Sequence, residues 1–271
     1  MKKNAAEPIC IALPRVAARV GYPPVASARG SNLLEDLNAL IIRPIGRGSL
    51  EEILFRMDLL YRLERKGLYI VNPPKSIERA VDKYYALSLL EEQNLPVPRT
   101  IVTESPNEAL KGFHELGGDV VLKPLTGSRG IGSTRITDAN IAERIFRTLS
   151  LHHGVFYLQE FITHGFSDIR AFTLGGRVLA SMRRVAQGWK TNVSQGARPV
   201  SIQLDKELQE LAVKSAETVG CVVAGVDILE SDEGPMIIEV NSQPGWKGLQ
   251  TVTKVKIADR IVNYVISQTK K

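Results

Sequence analysis

Val222-Val-Ala-Gly-Val-Asp-Ile-Leu229, followed after Ser231-Asp-Glu-Gly234 by Met236-Ile-Ile-Glu-Val-Asn241, decides the reading of the fold. Two apolar runs around a polar turn ending in Gly predict an antiparallel hairpin. Side chains alternate along a strand, so Glu239 and Asn241 project from one face. A turn centred on Asp232-Glu233 sets residue 227 opposite residue 238, leaving Asp227 close to or diagonal from Glu239. Carboxylates within apolar strands need a compensating cation, because burying unpaired anions is costly. Two carboxylates and an amide oxygen are hard ligands of the kind Mg²⁺ takes, with substrate phosphates completing the shell. A lone strand Asp is better explained by water or an arginine partner; three such groups at this spacing reverse that preference.

Upstream, Asp119-Val-Val-Leu-Lys-Pro124 runs into Leu125-Thr-Gly-Ser-Arg-Gly-Ile-Gly-Ser133. Lys123 ends an apolar strand just before a glycine-rich loop whose N–H groups can cover phosphate oxygens. The spacing of Gly127, Gly130 and Gly132 fits neither a Walker A loop nor GxGxxG, and alone it suits a plain glycine hairpin equally well. Phe156-Tyr-Leu-Gln-Glu-Phe-Ile162 offers an amide, a carboxylate and an edge carbonyl beside apolar groups, which suits an adenine pocket or an ordinary core strand. Asp168, Arg170, Arg183, Arg184, Lys190 and Asn192 form a polar set. Asp168 and Arg170 share a strand face, and Arg183 is expected to approach them from the next strand. Such a cluster either neutralises charge in phosphoryl transfer or forms a cross-strand ion-pair ladder.

Around these motifs the chain divides into mixed α/β segments, with antiparallel sheet toward the C-terminus. The first 75 residues read as a small unit of strands alternating with helices, including a helix from Leu50 capped by Ser49 and Glu52. One helical stretch is predicted over 76–94, and further helices near 106–116, 139–149, 206–219 and 255–268. The 271 residues carry 35 Lys+Arg against 29 Asp+Glu, a net charge of +6. That excess suits an anionic partner, but no block of five like charges points to nucleic acid. No apolar run approaches a membrane span, and two cysteines make no disulfide framework, so a cytoplasmic protein is expected. The four histidines lack ligand spacing, and neither G-x-S-x-G nor H-E-x-x-H occurs, which removes triad hydrolases and zinc enzymes.

Taken in order, Asn72-Pro73, Asp82-Lys-Tyr84, Val97-Pro-Arg-Thr100, Val121-Leu-Lys-Pro124, Gly130-Ile-Gly132, Gln159-Glu-Phe-Ile162, Asp168-Ile-Arg170, Gly225-Val-Asp-Ile228 and Ile238-Glu-Val-Asn-Ser-Gln-Pro-Gly245 resemble the ATP-grasp superfamily. Within it the likeness is to the RimK-like ligases that add glutamate, and it covers roughly residues 72–258. The resemblance implies an ATP-grasp fold: a first α/β domain over 1–80, then an ATP-grasp domain over 81–271 with a lid near 98–162 and a C-terminal part near 163–271. It implies ATP with Mg²⁺ or Mn²⁺, two ions, and an acceptor carboxylate activated as an acyl phosphate before an amine displaces phosphate. Lys83 and Lys123 match the phosphate-holding lysines; Ser128, Gly130 and Gly132 match the loop over the nucleotide. Gln159, Glu160, Phe161 and Ile162 match the adenine edge, Asp168 a nucleotide contact, and Lys190, Thr191 and Asn192 the closing segment. Asp227, Glu239 and Asn241 match the metal ligands, and Arg183 or Arg184 the arginine that steadies the acyl phosphate, with Asn241 beside them as catalytic.

Arg43-Pro-Ile-Gly-Arg-Gly-Ser-Leu-Glu51, with Arg56–Leu60 and Asn72–Pro74, looks most like the subgroup that glutamylates pterin-type cofactors such as tetrahydromethanopterin. Arg43, Arg47 and Arg170 are the acceptor-binding candidates. The first domain is shorter than in such ligases, and Ser194-Gln-Gly-Ala197 replaces a more glycine-rich stretch. The expected partners are therefore L-glutamate and a small carboxylate, with no nucleic acid or membrane, and a homo-oligomeric state in keeping with such ligases. A ligase acting on a protein tail, an ATP-binding regulatory module without catalysis, and a nucleic-acid binder are the competing readings. Retention of both lysines and all three candidate metal ligands weighs against lost catalysis.

Overall fold

The computed structural model describes residues 6–127 and 130–269. The N-terminal part departs from the expected strand–helix alternation. It opens with a small antiparallel sheet of β1 (Ala17–Ala18), β2 (Ala26–Ala28) and β3 (Ser31–Asn32). These strands are two or three residues of Ala, Ser and Asn, too short and too small to carry a period-two signal. The expected α/β unit follows: β4 (Ala39–Ile41), α1 (Leu50–Arg65) and β5 (Tyr69–Val71), with β4 and β5 parallel. The predicted capping box starts α1, Glu52 N–H donating to Ser49 Oγ at 3.3 Å and Ser49 N–H to Glu52 Oε2 at 2.8 Å. Leu59, Leu60 and Leu63 bury the inner face of α1 against Ile70 and Ile77.

The single helix expected over 76–94 is two, α2 (Pro74–Val81) and α3 (Lys83–Glu92). Asp82 takes an extended conformation and caps α3, its carboxylate accepting from Tyr85 N–H at 3.0 Å. The break makes Lys83 the first residue of a helix.

A middle sheet follows, in the order β6-β9-β7-β8 and antiparallel throughout. Its strands are β6 (Thr100–Thr103), β7 (Val120–Lys123), β8 (Thr134–Ile136) and β9 (Phe156–Glu160). Helices α4 (Pro106–Glu115) and α5 (Ala139–Ser150) cover one face through Phe113 and Phe146, the latter edge-on to Phe156.

The large sheet has the order β12-β11-β10-β13-β14, again antiparallel. It comprises β10 (Ser167–Leu174), β11 (Val178–Val185), β12 (Arg198–Ser201), β13 (Val223–Ser231) and β14 (Gly234–Asn241). One face, with Ile169, Ala171, Val226, Ile228 and Ile237, packs against α3 and α6 (Lys206–Val219). Each such Ile or Val withdrawn from water contributes about 1.5–3 kcal/mol. On the other face Phe172, Leu174, Met182 and Val223 pack with Leu249 of α7 (Lys247–Gln250), Ile261 of α8 (Ile257–Thr269) and Val71 of β5. That second face continues past its apolar end into charged residues, where the candidate site lies. Among the described residues no helix is long and apolar enough to cross a membrane.

Candidate functional site

The hairpin places its acids more tightly than the turn alone predicts. Ser231 pairs with Gly234 and Ile228 with Ile237, as a turn centred on 232–233 requires. The register then shifts between Ile228 and Asp227, leaving Ile238 as an extra residue and setting Asp227 directly opposite Glu239. The bulge thus turns a diagonal pair of carboxylates into a facing one. Asn241 pairs with Gly225, and its Nδ2 donates to the Gly225 carbonyl at 3.4 Å, which leaves Oδ1 available. Glu239 is half-buried, and its carboxylate makes no hydrogen bond or ion pair among the described residues.

Asp227 is compensated by arginine. Register sets Arg170 beside Asp227 and Asp168 beside Arg184. Arg170 donates from Nε to Asp227 Oδ1 and from Nη2 to Oδ2, the latter at 2.8 Å. Arg184 donates from Nε to Asp168 Oδ1 at 2.6 Å and reaches Asp227 Oδ1 with Nη2 at 3.1 Å. Thr191 Oγ1 donates to Asp168 Oδ2 at 2.5 Å. A chain of alternating charge therefore runs Arg170–Asp227–Arg184–Asp168 across three strands. Burial drives the Asp227 carboxyl upward, but Arg170 and Arg184 outweigh it and hold the group below its ordinary range. For Asp168 burial wins over Arg184, and the pKa is raised. Burial depresses Arg184 less than its two carboxylates raise it, so it stays firmly protonated. Breaking such a buried pair from one side leaves an uncompensated charge, at a cost of about 3–5 kcal/mol.

Arg183 does not approach Asp168. It pairs in register with Ile169 on the other face of the sheet, donates to Ser167 Oγ at 3.3 Å, and forms an ion pair with Glu230. The period of two makes its neighbour Arg184 the residue that faces the acids.

Two lysines meet this face from the middle of the chain. Lys83, at the start of α3, donates from Nζ to the carbonyls of Leu125 at 3.4 Å and Gly127 at 3.1 Å, tying the glycine-rich loop to the helix. Burial lowers its pKa against the pull of Glu239 and Asp82. Lys123, the last residue of β7, donates from Nζ to Gln159 Oε1 at 2.5 Å. Burial pushes its pKa down to about 8; Glu239 and Asp227 oppose the shift and Lys83 adds to it. Both ammonium groups face an open cleft of about 940 Å³, together with Glu239, Asp227, Asp168 and Arg184.

The remaining cleft wall contains Gly130, Gln159, Glu160, Phe161, Ile162, Lys190, Thr191 and Asn192. Gln159 is turned by Thr100, whose Oγ1 accepts from Nε2 at 3.0 Å, so its Oε1 points at Lys123. Glu160 accepts from Arg99 N–H at 2.7 Å and Arg99 Nε at 2.6 Å. Gly130 has φ +67°, where a side chain is strained, and a Cβ there would lie 2.4 Å from Asn192 Oδ1, so a larger residue would also push that side chain aside. Gly132 abuts Pro124 just outside the wall, and Ser128 lies outside the described residues. Trp189 and His164 join the wall without having been singled out by the sequence. Trp189 meets the Phe161 ring edge-on, with centroids 6.4 Å apart, and Arg135 covers that ring at 3.5 Å while paired with Asp119. Trp189 carried one available signal, its place beside Lys190; Arg135 carried none.

Of the acceptor candidates, Arg170 belongs to the ion chain. Arg43 lies over the Trp246 ring at 4.4 Å and donates to the Pro244 carbonyl at 3.4 Å. Arg47 is exposed, and its backbone carbonyl accepts from Arg56 Nη1 at 3.0 Å. A further residue fixes the first unit to the large sheet. Buried Asn72 donates from Nδ2 to the carbonyls of Val223 at 2.7 Å and Ser242 at 2.5 Å, and its Oδ1 accepts from Val223 N–H at 2.8 Å.

Two lysines, a glycine-rich cover, an acid pair and a buried arginine around one cleft suit a polyphosphate with a divalent cation. The donor set fits such a cation: Glu239 and Asn241 Oδ1 are free, and Asp227 lies between them and two arginines. Comparison with known proteins agrees. A family described as the RimK-like ATP-grasp domain matches residues 80–265.

The chain belongs to the RimK-like ATP-grasp family.

A tetrahydromethanopterin:alpha-L-glutamate ligase of Methanococcus maripaludis is 34% identical over 100% of this chain and 92% of its own length. A probable alpha-L-glutamate ligase of Legionella pneumophila is 33% identical over 78% of this chain and 72% of its own. Among solved structures, the ATP-grasp ligase PsnB complexed with precursor peptide PsnA2 and AMPPNP has a TM-score of 0.64 at 26% identity, covering 82% of this chain and 70% of that one. As a member of this family the chain is an ATP-dependent ligase that forms C–N bonds.

Proposed function

We propose that this RimK-like ATP-grasp ligase adds L-glutamate to the carboxylate of a pterin-type cofactor of the tetrahydromethanopterin kind. The observation that carries the reading is the convergence of Lys83, Lys123, Arg184, Asp227 and Glu239 on one cleft. The acceptor class rests on likeness: the relative named for tetrahydromethanopterin matches 100% of this chain, and the one named only as a probable glutamate ligase matches 78%.

In this reading residues 1–80 form the first domain and 81–271 the ATP-grasp domain, with the middle sheet serving as lid. Lys83 and Lys123 hold the phosphates of ATP under the loop at Gly130 and Gly132. Gln159 to Ile162 line the adenine edge, and Lys190 to Asn192 close over the nucleotide. Glu239, Asn241 and Asp227 hold Mg²⁺, which when bound neutralises charge on the phosphates. The acceptor carboxylate attacks the γ-phosphorus, releasing ADP and forming an acyl phosphate. Arg184, kept protonated by its two acids, stabilises the transferring group. The glutamate amine then attacks the acyl carbon; phosphate leaves and the amine gives up its proton as the amide forms. A closed lid keeps water from the acyl phosphate.

The test is ADP release with ATP, Mg²⁺ and L-glutamate across a panel of acceptors, with mass spectrometry of the products. The panel holds tetrahydromethanopterin, a deazaflavin cofactor, a furan cofactor and a protein tail. A glutamyl increment on the pterin is the expected result. An increment on another member would reassign the acceptor, and nucleotide binding without turnover on any member would count against catalysis.

A further inference from the structure

Every residue placed at the nucleotide end lies within 80–265, the region shared across the family. Two side chains from outside that region touch the loop after β14: buried Asn72, which donates to the Ser242 carbonyl, and Arg43, two residues beyond β4. The Arg43 guanidinium lies over Trp246 at 4.4 Å, and the Trp ring is itself held edge-on by buried Phe172, with centroids 6.1 Å apart at 89°. One Nη1 donor goes to the Pro244 carbonyl at 3.4 Å. Arg43 has no carboxylate partner among the described residues, unlike Arg170 and Arg184. The result is an exposed guanidinium of fixed plane with donors to spare.

A chain of contacts leads from this arginine toward Asp227. Pro244, which accepts from Arg43, also packs against Gly225, where a Cβ would lie 2.9 Å from the Pro244 Cβ and 2.5 Å from Arg170 Nη1. Gly225 in turn pairs with Asn241 and sits two residues from Asp227. Gly225 thus has Arg170 and Pro244 against it, and of the two arginines Arg43 has free donors while Arg170 is spent on Asp227. Arg47, the other arginine of the 43–51 stretch, lends only a backbone carbonyl to Arg56.

We propose that Arg43, stacked on Trp246, binds an anionic group of the acceptor and so makes the first domain the reader of acceptor identity. The inference rests on the proposed glutamate-ligase reading and adds the residue that selects its carboxylate substrate. A planar guanidinium held on an aromatic face presents its edge to a carboxylate or phosphate in bidentate geometry, which a lysine cannot reproduce. The nucleotide cleft needs no contribution from this residue, because Arg43 belongs neither to its wall nor to the ion chain.

The experiment measures KM for tetrahydromethanopterin, L-glutamate and ATP in the wild type, Arg43→Ala and Arg43→Lys, with equilibrium binding of the pterin alone as a second readout. Arg43→Ala should raise the pterin KM and Kd about tenfold or more, the loss of one charge-assisted contact, and leave the other two KM values within about twofold. Arg43→Lys should recover only part of the loss. Trp246→Leu, which keeps the arginine but removes its platform, should raise the same KM. A rise in the glutamate KM instead, or no change in any of the three, would overturn the assignment. A wild type that glutamylates a different acceptor refutes the pterin reading alone, and the same variants are then measured with that acceptor. Arg43 is exposed, so thermal stability within a few degrees of wild type is expected.

Discussion

Asn72→Ala tests how the N-terminal α/β unit is fastened to the large sheet. Asn72 is 2% exposed and serves three backbone groups at once: the N–H and C=O of Val223 and the C=O of Ser242. Truncation leaves these without a partner in a site closed to water. Each orphaned group costs about 1–3 kcal/mol, less where water or relaxation repairs it, so the sum is about 4 kcal/mol. For a chain of this size each kcal/mol moves Tm by about 2–4 °C, which gives a fall of about 10 °C. Urea unfolding followed by circular dichroism, with thermal melts alongside, reads the change directly. Asn72→Asp keeps the acceptor for Val223 N–H but sets a carboxylate against two carbonyls, and should be at least as damaging. Ser242 follows Asn241, so nucleotide-dependent ADP release should also fall in whatever fraction stays folded. A loss below about 1 kcal/mol in Asn72→Ala would show that the three bonds are replaced at no cost, and the fastening argument would fail.

Glu239→Ala should abolish ADP release while leaving Tm within a few degrees of wild type, because losing its attraction for Lys83 and Lys123 is offset by relief of its repulsion with Asp227, which it faces; retained turnover would remove it from the ion site. Arg170→Gln should tighten Mn²⁺ binding in the presence of ADP, read by electron paramagnetic resonance, since Arg170 competes for both oxygens of Asp227 and Arg184 remains to balance it; unchanged affinity would refute the competition. ADP affinity should weaken as pH rises through about 8, where Lys123 loses its proton under the combined influence of burial, Glu239, Lys83 and Asp227. The sign follows from the charge: below that pH the ammonium attracts phosphate, and above it a neutral amine does not. Lys123→Arg should carry the fall to higher pH, and an identical profile in the variant would assign the titration elsewhere. The same depressed pKa means the free protein gains stability between about pH 8 and 10.5, as the unfolded chain holds the proton that the folded one has lost.

Local pattern carried much of this molecule. The hairpin, the capped helix at Leu50, the strand ending in Lys123 and the α6 span all follow from periodicity and capping within a few residues. The resemblance in ordered motifs reached the family without any coordinates. Register lay beyond that reach. Whether Arg183 or Arg184 faces the acids depends on one residue of strand offset, and every side chain changes face with such a slip. The facing of Asp227 and Glu239 needed a bulge at Ile238, which no turn rule foretold. The break at Asp82 that delivers Lys83 to the cleft was hidden by apolar residues continuing at helical spacing on both sides. Asn72 and Arg43 find their partners 151 and 201 residues away. The sequence by itself determined which groups the chemistry needs and which short elements bear them, because those depend on neighbours a turn or two apart. Only the tertiary structure decided which of those groups meet, because that depends on strand offset and on contacts between segments that chain order keeps far apart.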